Sequence, residues 1–184
     1  MTDLKNLEEQ GISSQSLYRG VIIDVYRDTV RLPDGNEAFR ELIRHNGAVC
    51  VVPLTDAGEV LCVRQYRYPF GRVTVEIPAG KLDSPDEDHR EAALRELREE
   101  TGASCEELVF IGDLYPSPAI LDEVIHMYYA RGLTMGETDP DDDEFIEPEP
   151  IPMAKLVDMI ASGEICDAKT QAAVLKTALI LKML

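Results

Sequence analysis

The sequence predicts an α+β chain, and three observations carry that prediction. Short runs rich in Val, Ile and Tyr, separated by turn residues, fill positions 17–78, which is a strand pattern. One strongly charged helical segment follows at about Asp86–Thr101. After a second group of strand-like runs, two helical segments close the chain, so strands and helices are largely grouped rather than alternating.

The first strand is expected over Tyr18–Leu32, ending at the turn Pro33-Asp34-Gly35-Asn36. Glu37–His45, Ala48–Thr55 and Val60–Tyr68 follow, the last two joined by the turn Asp56-Ala57-Gly58-Glu59. Val73–Ile77 is a short strand that stops at Pro78, and Ala79–Pro85 reads as a loop. In the helix that comes next, Ala92, Ala93, Leu94 and Leu97 supply an apolar side. Gly102 stands where a glycine terminates a helix in the left-handed conformation. Leu108–Tyr115 and Val124–Ala130 are strands flanking the loop Pro116–Asp122, and Phe145–Ile151 is a last strand. The closing helices span Met153–Ala161, stopped near Gly163, and from an Asp167 cap to the terminus. The apolar stretch Ala172–Leu184 is short and contains Lys176 and Lys182, so it reads as core packing or a subunit contact.

With 184 residues and 45% hydrophobic side chains, the chain has material for one domain with a core plus a small extension. We place the boundary at 45/46, with an N-terminal β extension over 1–45 and the main domain over 46–184. Against 18 basic side chains there are 35 acidic ones, a net charge of −17. That balance argues against nucleic acid, whose phosphates are gripped by clustered Lys and Arg, and against anionic membrane surfaces. The acidity is concentrated: residues 83–100 hold eight acids against three bases, and residues 134–150 hold eight acids and no base. The N-terminus lacks the apolar run of a secretory signal, and no apolar stretch is long enough to span a membrane. Cys50, Cys62, Cys105 and Cys166 are far apart without a C-x-x-C pair, so a zinc site is not expected and a reduced, cytoplasmic location is.

The chemistry is expected between Glu76 and Gly102. On a helix Glu96, Glu99 and Glu100 stand at i, i+3 and i+4, on one side. Their repulsion, close to the helix C-terminus where the dipole disfavours anions, is locally destabilising. Divalent cations offset it, since Mg2+ is held by a few carboxylates plus substrate phosphates. Arg95, four residues before Glu99, is placed to orient that carboxylate. A solvated charged helix face is the plain alternative. The ordered company of a glycine loop, an acid and then R-E-L-x-E-E-x-G speaks for the metal site.

These residues resemble the Nudix hydrolase signature, G-x5-E-x7-R-E-U-x-E-E-x-G-U, through Gly80, Glu87, Arg95, Glu96, Leu97, Glu99, Glu100, Gly102 and Ala103. Between Gly80 and Glu87 there are six residues instead of five, so either Asp86 or Glu87 fills the first acidic position. The resemblance implies a Nudix α/β/α sandwich with mixed sheets and hydrolysis of a nucleoside diphosphate linked to another group. It implies Mg2+, or Mn2+ in its place, held by Glu96 and Glu100 with Glu99 near them and the Ala79 carbonyl as a further ligand. Glu99 and Arg95 thereby join the catalytic set.

The flanks Gln65-Tyr66-Arg67-Tyr68-Pro69, Glu76–Asp83 and Tyr115-Pro116-Ser117-Pro118 resemble the ADP-ribose pyrophosphatase branch. There a proline about sixteen residues beyond the box goes with ADP-ribose, and Pro118 stands sixteen after Gly102. Ser117-Pro118-Ala119 departs from the Ser-Pro-Gly of many relatives. By this resemblance Arg67, Glu76 and Pro118 are the substrate-side residues. Arg67 contacts the diphosphate or nucleotide, and Glu76 supports the metal–water network. The branch takes its catalytic base from a late acidic loop, a position that Glu144 matches best. It also implies a homodimer whose N-terminal strands exchange between subunits. The expected reaction is cleavage of ADP-ribose to AMP and ribose 5-phosphate. The alternatives are a broader nucleoside diphosphate sugar pyrophosphatase, acting on other ADP-sugars or GDP-hexoses, and a sensor that binds ADP-ribose without hydrolysing it.

Overall fold

The computed structural model describes residues 7–139 and 144–184. These fall into two compact units, one comprising the residues up to Asn46 with Tyr115–Glu123, the other Gly47–Leu114 with Val124–Leu184.

The first unit carries a three-stranded antiparallel sheet: β1 (Gln10–Arg19), β2 (Asp24–Arg31) and β3 (Glu37–Arg44), in that order. The expected single strand over Tyr18–Leu32 is two strands, because Gly20 donates its N–H to the Ile23 carbonyl at 2.9 Å and closes a tight turn. All ten residues of β1 are exposed, and Val30 is the one buried apolar side chain of this unit among the described residues. Cross-strand pairs such as Arg27–Glu41, at 2.8 Å, hold the sheet where a core does not.

The second unit has two sheets. β4 (Ala48–Pro53), β7 (Ala79–Lys81), β9 (Ile125–Met135) and β8 (Ala103–Leu114) form a mixed sheet in the order β7-β4-β9-β8, with β4 and β9 parallel. β5 (Glu59–Arg67), β6 (Arg72–Glu76) and β10 (Ile146–Pro152) form an antiparallel one in the order β10-β5-β6. Three helices complete the unit: α1 (His89–Thr101), α2 (Met153–Ala161) and α3 (Ala168–Leu181). Alternate side chains of a strand face opposite ways. In β4, Val49 and Val51 accordingly pack in the cluster containing Ala92, Ala93 and Leu97 of α1, while Cys50 and Val52 pack with Leu156, Ala173 and Val174 of α2 and α3. This strand is thus apolar throughout because helices cover both its faces. The result is the expected α/β/α sandwich.

The first helix begins at His89, later than the expected Asp86, because Asp88 caps it: its carboxylate accepts the N–H groups of Arg90 and Glu91. Gly102 ends the helix at φ 70°. Ala79–Lys81, expected as loop, is a strand that pairs with β4, and its Ala79 N–H meets Glu100 in the last turn of α1.

Candidate active site

The site is built where β7 meets the last two turns of α1. Glu96 and Glu100, one turn apart, both point back at β7 and are 8% and 4% exposed. The Ala79 N–H donates to Glu100 Oε2 at 3.0 Å. A Cβ on Gly80 would lie 2.0 Å from the Glu96 carboxyl carbon, so residue 80 must be glycine for that carboxylate to be where it is.

Arg95 gathers three carboxylates. Its Nη1 donates to Glu96 Oε1 at 2.6 Å and to Glu99 Oε2 at 3.2 Å, and its Nη2 to Glu87 Oε1 at 3.3 Å. Of the two acids left open by the spacing, Glu87 is therefore the one that meets Arg95. Glu87 also accepts the Asp83 N–H at 2.6 Å, which folds the loop back on the helix start.

Burial dominates the electrostatics of the inner pair. It pushes Glu96 up to about 7 against the opposing pull of Arg95, with the charges of Glu99 and Glu144 adding to the rise. Glu100 is pushed up to about 8 by burial, against the Ala79 N–H, with Glu96 and Glu144 again raising it. Two buried carboxylates beside two further acids have too little positive charge near them.

Glu144 thus lies within electrostatic reach of both. Earlier in the same acidic segment, the Asp139 N–H donates to the Glu99 carbonyl at 3.0 Å, and the Gly136 N–H to the Gly102 carbonyl at 2.7 Å. A Cβ on Gly102 would come within 2.5 Å of the Gly136 carbonyl oxygen. The signature's last glycine therefore both turns the chain and lets the loop sit against the helix end. Asp141, Asp142 and Asp143 of the second acidic focus lie outside the described residues.

A second charged group stands beside the first. Arg67 grips Glu76 with Nε and Nη2 at 2.8 and 2.6 Å. Thr74 donates to Glu76 at 2.7 Å, and Lys169 of α3 donates to it as well. Burial works against the Glu76 charge, but the Arg67 hydrogen bond, the Lys169 charge and the Thr74 hydroxyl hold it down at about 2. Lys169 also pairs with Asp167 at 3.1 Å, and the Ile77 N–H donates to Thr170 Oγ1 at 3.1 Å, fastening the start of α3 to the end of β6. Arg67 and Glu76 are thus together, while Pro118 belongs to the first unit, where it lines a cavity of about 280 Å³ with Leu42, Tyr115 and Ile120. Lys169 carried no signal in the sequence beyond following the Asp167 cap, because its partner lies 93 residues away.

Among the described residues no three or more His, Cys, Asp or Glu side chains stand as a ready metal-binding group; Glu96 is held by Arg95 and Glu100 by the Ala79 N–H. The donor chemistry nevertheless fits a divalent cation. Glu96, Glu99 and Glu100 are hard oxygen donors, and two of them are buried with their charge undercompensated, a deficit that a dication removes.

The NUDIX domain family model matches residues 44–172, and the nucleoside diphosphate sugar hydrolase N-terminal domain matches residues 9–43. The chain is 40% identical over 173 residues to an ADP-ribose pyrophosphatase of Bacillus subtilis, covering 93% of each. It is 40% identical over 172 residues to a methanol dehydrogenase activator of Bacillus methanolicus, covering 92% of each. A solved ADP compounds hydrolase superposes with a TM-score of 0.85 over 96% of both chains at 23% identity, which speaks to the fold alone. A glycine forced by a carboxylate, an arginine binding three acids and a helix end carrying two buried glutamates are the signature made spatial: the chain belongs to the Nudix hydrolase family.

Proposed function

We propose that the protein hydrolyses the diphosphate bond of ADP-ribose, releasing AMP and ribose 5-phosphate, with Mg2+ as its cation and Mn2+ as the substitute. The observation that carries this reading is the convergence of Glu96, Glu99, Glu100 and Glu144 charges at the end of α1, in a chain resembling an ADP-ribose pyrophosphatase over nearly its whole length.

Glu96 and Glu100 are the principal ligands, with Glu99 and the Ala79 carbonyl beside them. Bound there, the cation neutralises the diphosphate and makes water a better nucleophile near neutral pH. Arg95 keeps Glu96 and Glu99 in orientation. Glu144 accepts the proton of the attacking water as the P–O bond to the leaving phosphate breaks, and its late-loop position suits closure over bound substrate. Arg67, with Glu76 behind it, faces the substrate, and Pro118 is a further substrate-binding residue.

The expected result is AMP release from ADP-ribose with Mg2+ and none in chelator, measured against a panel of ADP-sugars and GDP-hexoses. Faster turnover of another nucleotide sugar moves the activity to the broader class, and calorimetric binding of ADP-ribose without turnover at any metal concentration makes the protein a sensor.

The segment 1–45 serves as a dimerisation element on the domain 46–184. Support comes from Ile12, Tyr18, Val21, Ile22 and Phe39, all large and exposed on the first unit. Sedimentation should give about twice the chain mass of 20.5 kDa, and a monomer counts against the dimer. The net charge of −17 disfavours nucleic acid and anionic membranes as partners. Among the described residues no helix is long and apolar enough to cross a membrane. Four free cysteines suit a reduced, cytoplasmic setting.

A further inference from the structure

The charged group around Glu76 opens on a cavity of about 450 Å³, lined among others by Arg67, Phe70, Arg72, Cys166 and Lys169. Its size is that of an ordinary small-molecule pocket. Two features set it apart from a structural ion network. Lys169 is deep for a lysine, with 12% of its side chain exposed, and it lines the cavity. Arg67 and Lys169 also both act electrostatically on Glu100, or are acted on by it, across the rim between cavity and carboxylates. Cations of β5 and α3 therefore stand on the flank of the acidic cluster.

The geometry points to Lys169 as a substrate-binding residue: together with Arg67 it forms a two-cation clamp on the phosphate that lies on the cavity side of the acidic cluster. This rests on the diphosphate reading above. The acids at the end of α1 repel a diphosphate, and a cation among them serves only the oxygens it reaches. The remaining phosphate oxygens need positive donors, and Arg67 with Lys169 supplies them. At the α3 N-terminus, Asp167 already takes the Thr170 N–H at 2.9 Å. Glu76 and Asp167 act as place-holders. They fix both long side chains before substrate arrives, so the rotamer freedom that a lysine loses on binding is lost already on folding. Arg72, which lines the same cavity, adds a third cation beside Glu76 and Asp167.

The test compares wild type, K169M and K169R, with K155M as a surface control. Calorimetry with ADP-ribose in chelator, where no turnover occurs, should show affinity falling about 10- to 100-fold in K169M, the loss of a charge-assisted hydrogen bond. With Mg2+, KM should rise by a similar factor while kcat stays within about threefold, and K169R should recover most of both. K169M that melts early yet binds with wild-type affinity assigns Lys169 a structural role and overturns the clamp. If K169M does not fold, the Lys169 ammonium resonance of the wild type, identified by its loss in K169R, decides: a shift on adding ADP-ribose supports contact and an unmoved signal overturns it. A wild type that releases no AMP from ADP-ribose overturns the proposed function instead. The clamp is then judged by inorganic pyrophosphate, whose binding should still weaken in K169M and, if unchanged, refutes it.

Discussion

Replacing Glu100 with Gln should lower kcat for ADP-ribose by about 1,000-fold or more, the scale of losing several kcal/mol of charge stabilisation by a bound cation. Gln keeps the oxygen that accepts the Ala79 N–H and removes only the charge. The same change should have the opposite effect on stability in chelator. Burial pushes Glu100 up to about 8 in the folded protein, from an ordinary 4.5, and Glu96 up to about 7. A carboxyl whose folded value is raised stabilises fully below the unfolded value and loses that contribution as pH climbs to the folded one. Metal-free wild type should therefore melt at progressively lower temperature from about pH 5 to about pH 8. E100Q should lose less over that window and melt above wild type at pH 8. Melting curves in chelator at pH 5.5, 7 and 8.5 check this, and curves that coincide at pH 8.5 refute the charge argument.

Replacing Glu144 with Gln should slow turnover by about 100- to 10,000-fold, the usual contribution of a positioned base, while ADP-ribose and Mg2+ binding stay near wild type. The reason is position: Glu144 influences Glu96 and Glu100 electrostatically but sits on a loop segment, not on the strand or helix that builds the cluster. Single-turnover kinetics with calorimetry separates the two effects. Normal turnover in E144Q moves the base to Glu99 or Glu147, the latter being exposed on β10 opposite Arg64 of β5.

Helix α1 and its inner carboxylates were legible because every determinant is local: an i, i+4 acid pair, a small apolar face and a terminating glycine. The first helical residue was less so, since Asp86, Glu87 and Asp88 all offer side-chain oxygens and only the fold selects Asp88 as the cap. β1 leaves little strand signal because Gly11–Ser16 is polar apart from Ile12 and the strand has no buried face; pairing with β2 alone makes it a strand. β8 and β9 run longer than their apolar patterns because their mutual pairing continues through Ser104 and Glu107, opposite Thr134 and Arg131, as far as the buried Ala103 opposite the exposed Met135. Lys169 was illegible for a different reason. Its partner Glu76 is distant in sequence, and no periodicity records such a meeting.

The extra residue between Gly80 and Glu87 carries a lesson about measurement. Glu87 still reaches Arg95 at 3.3 Å, because the loop absorbs the surplus before the Asp88 cap. Distance counted forward from the glycine is slack rope, and distance counted back from the helix is a gauge. An α-helix turns each residue about 100° from the last. One residue more within α1, between Arg95 and Glu99, would swing a carboxylate round the axis, whereas one more in the loop only lengthens a curve. Signatures of this kind are best searched with an elastic first gap and a rigid second one.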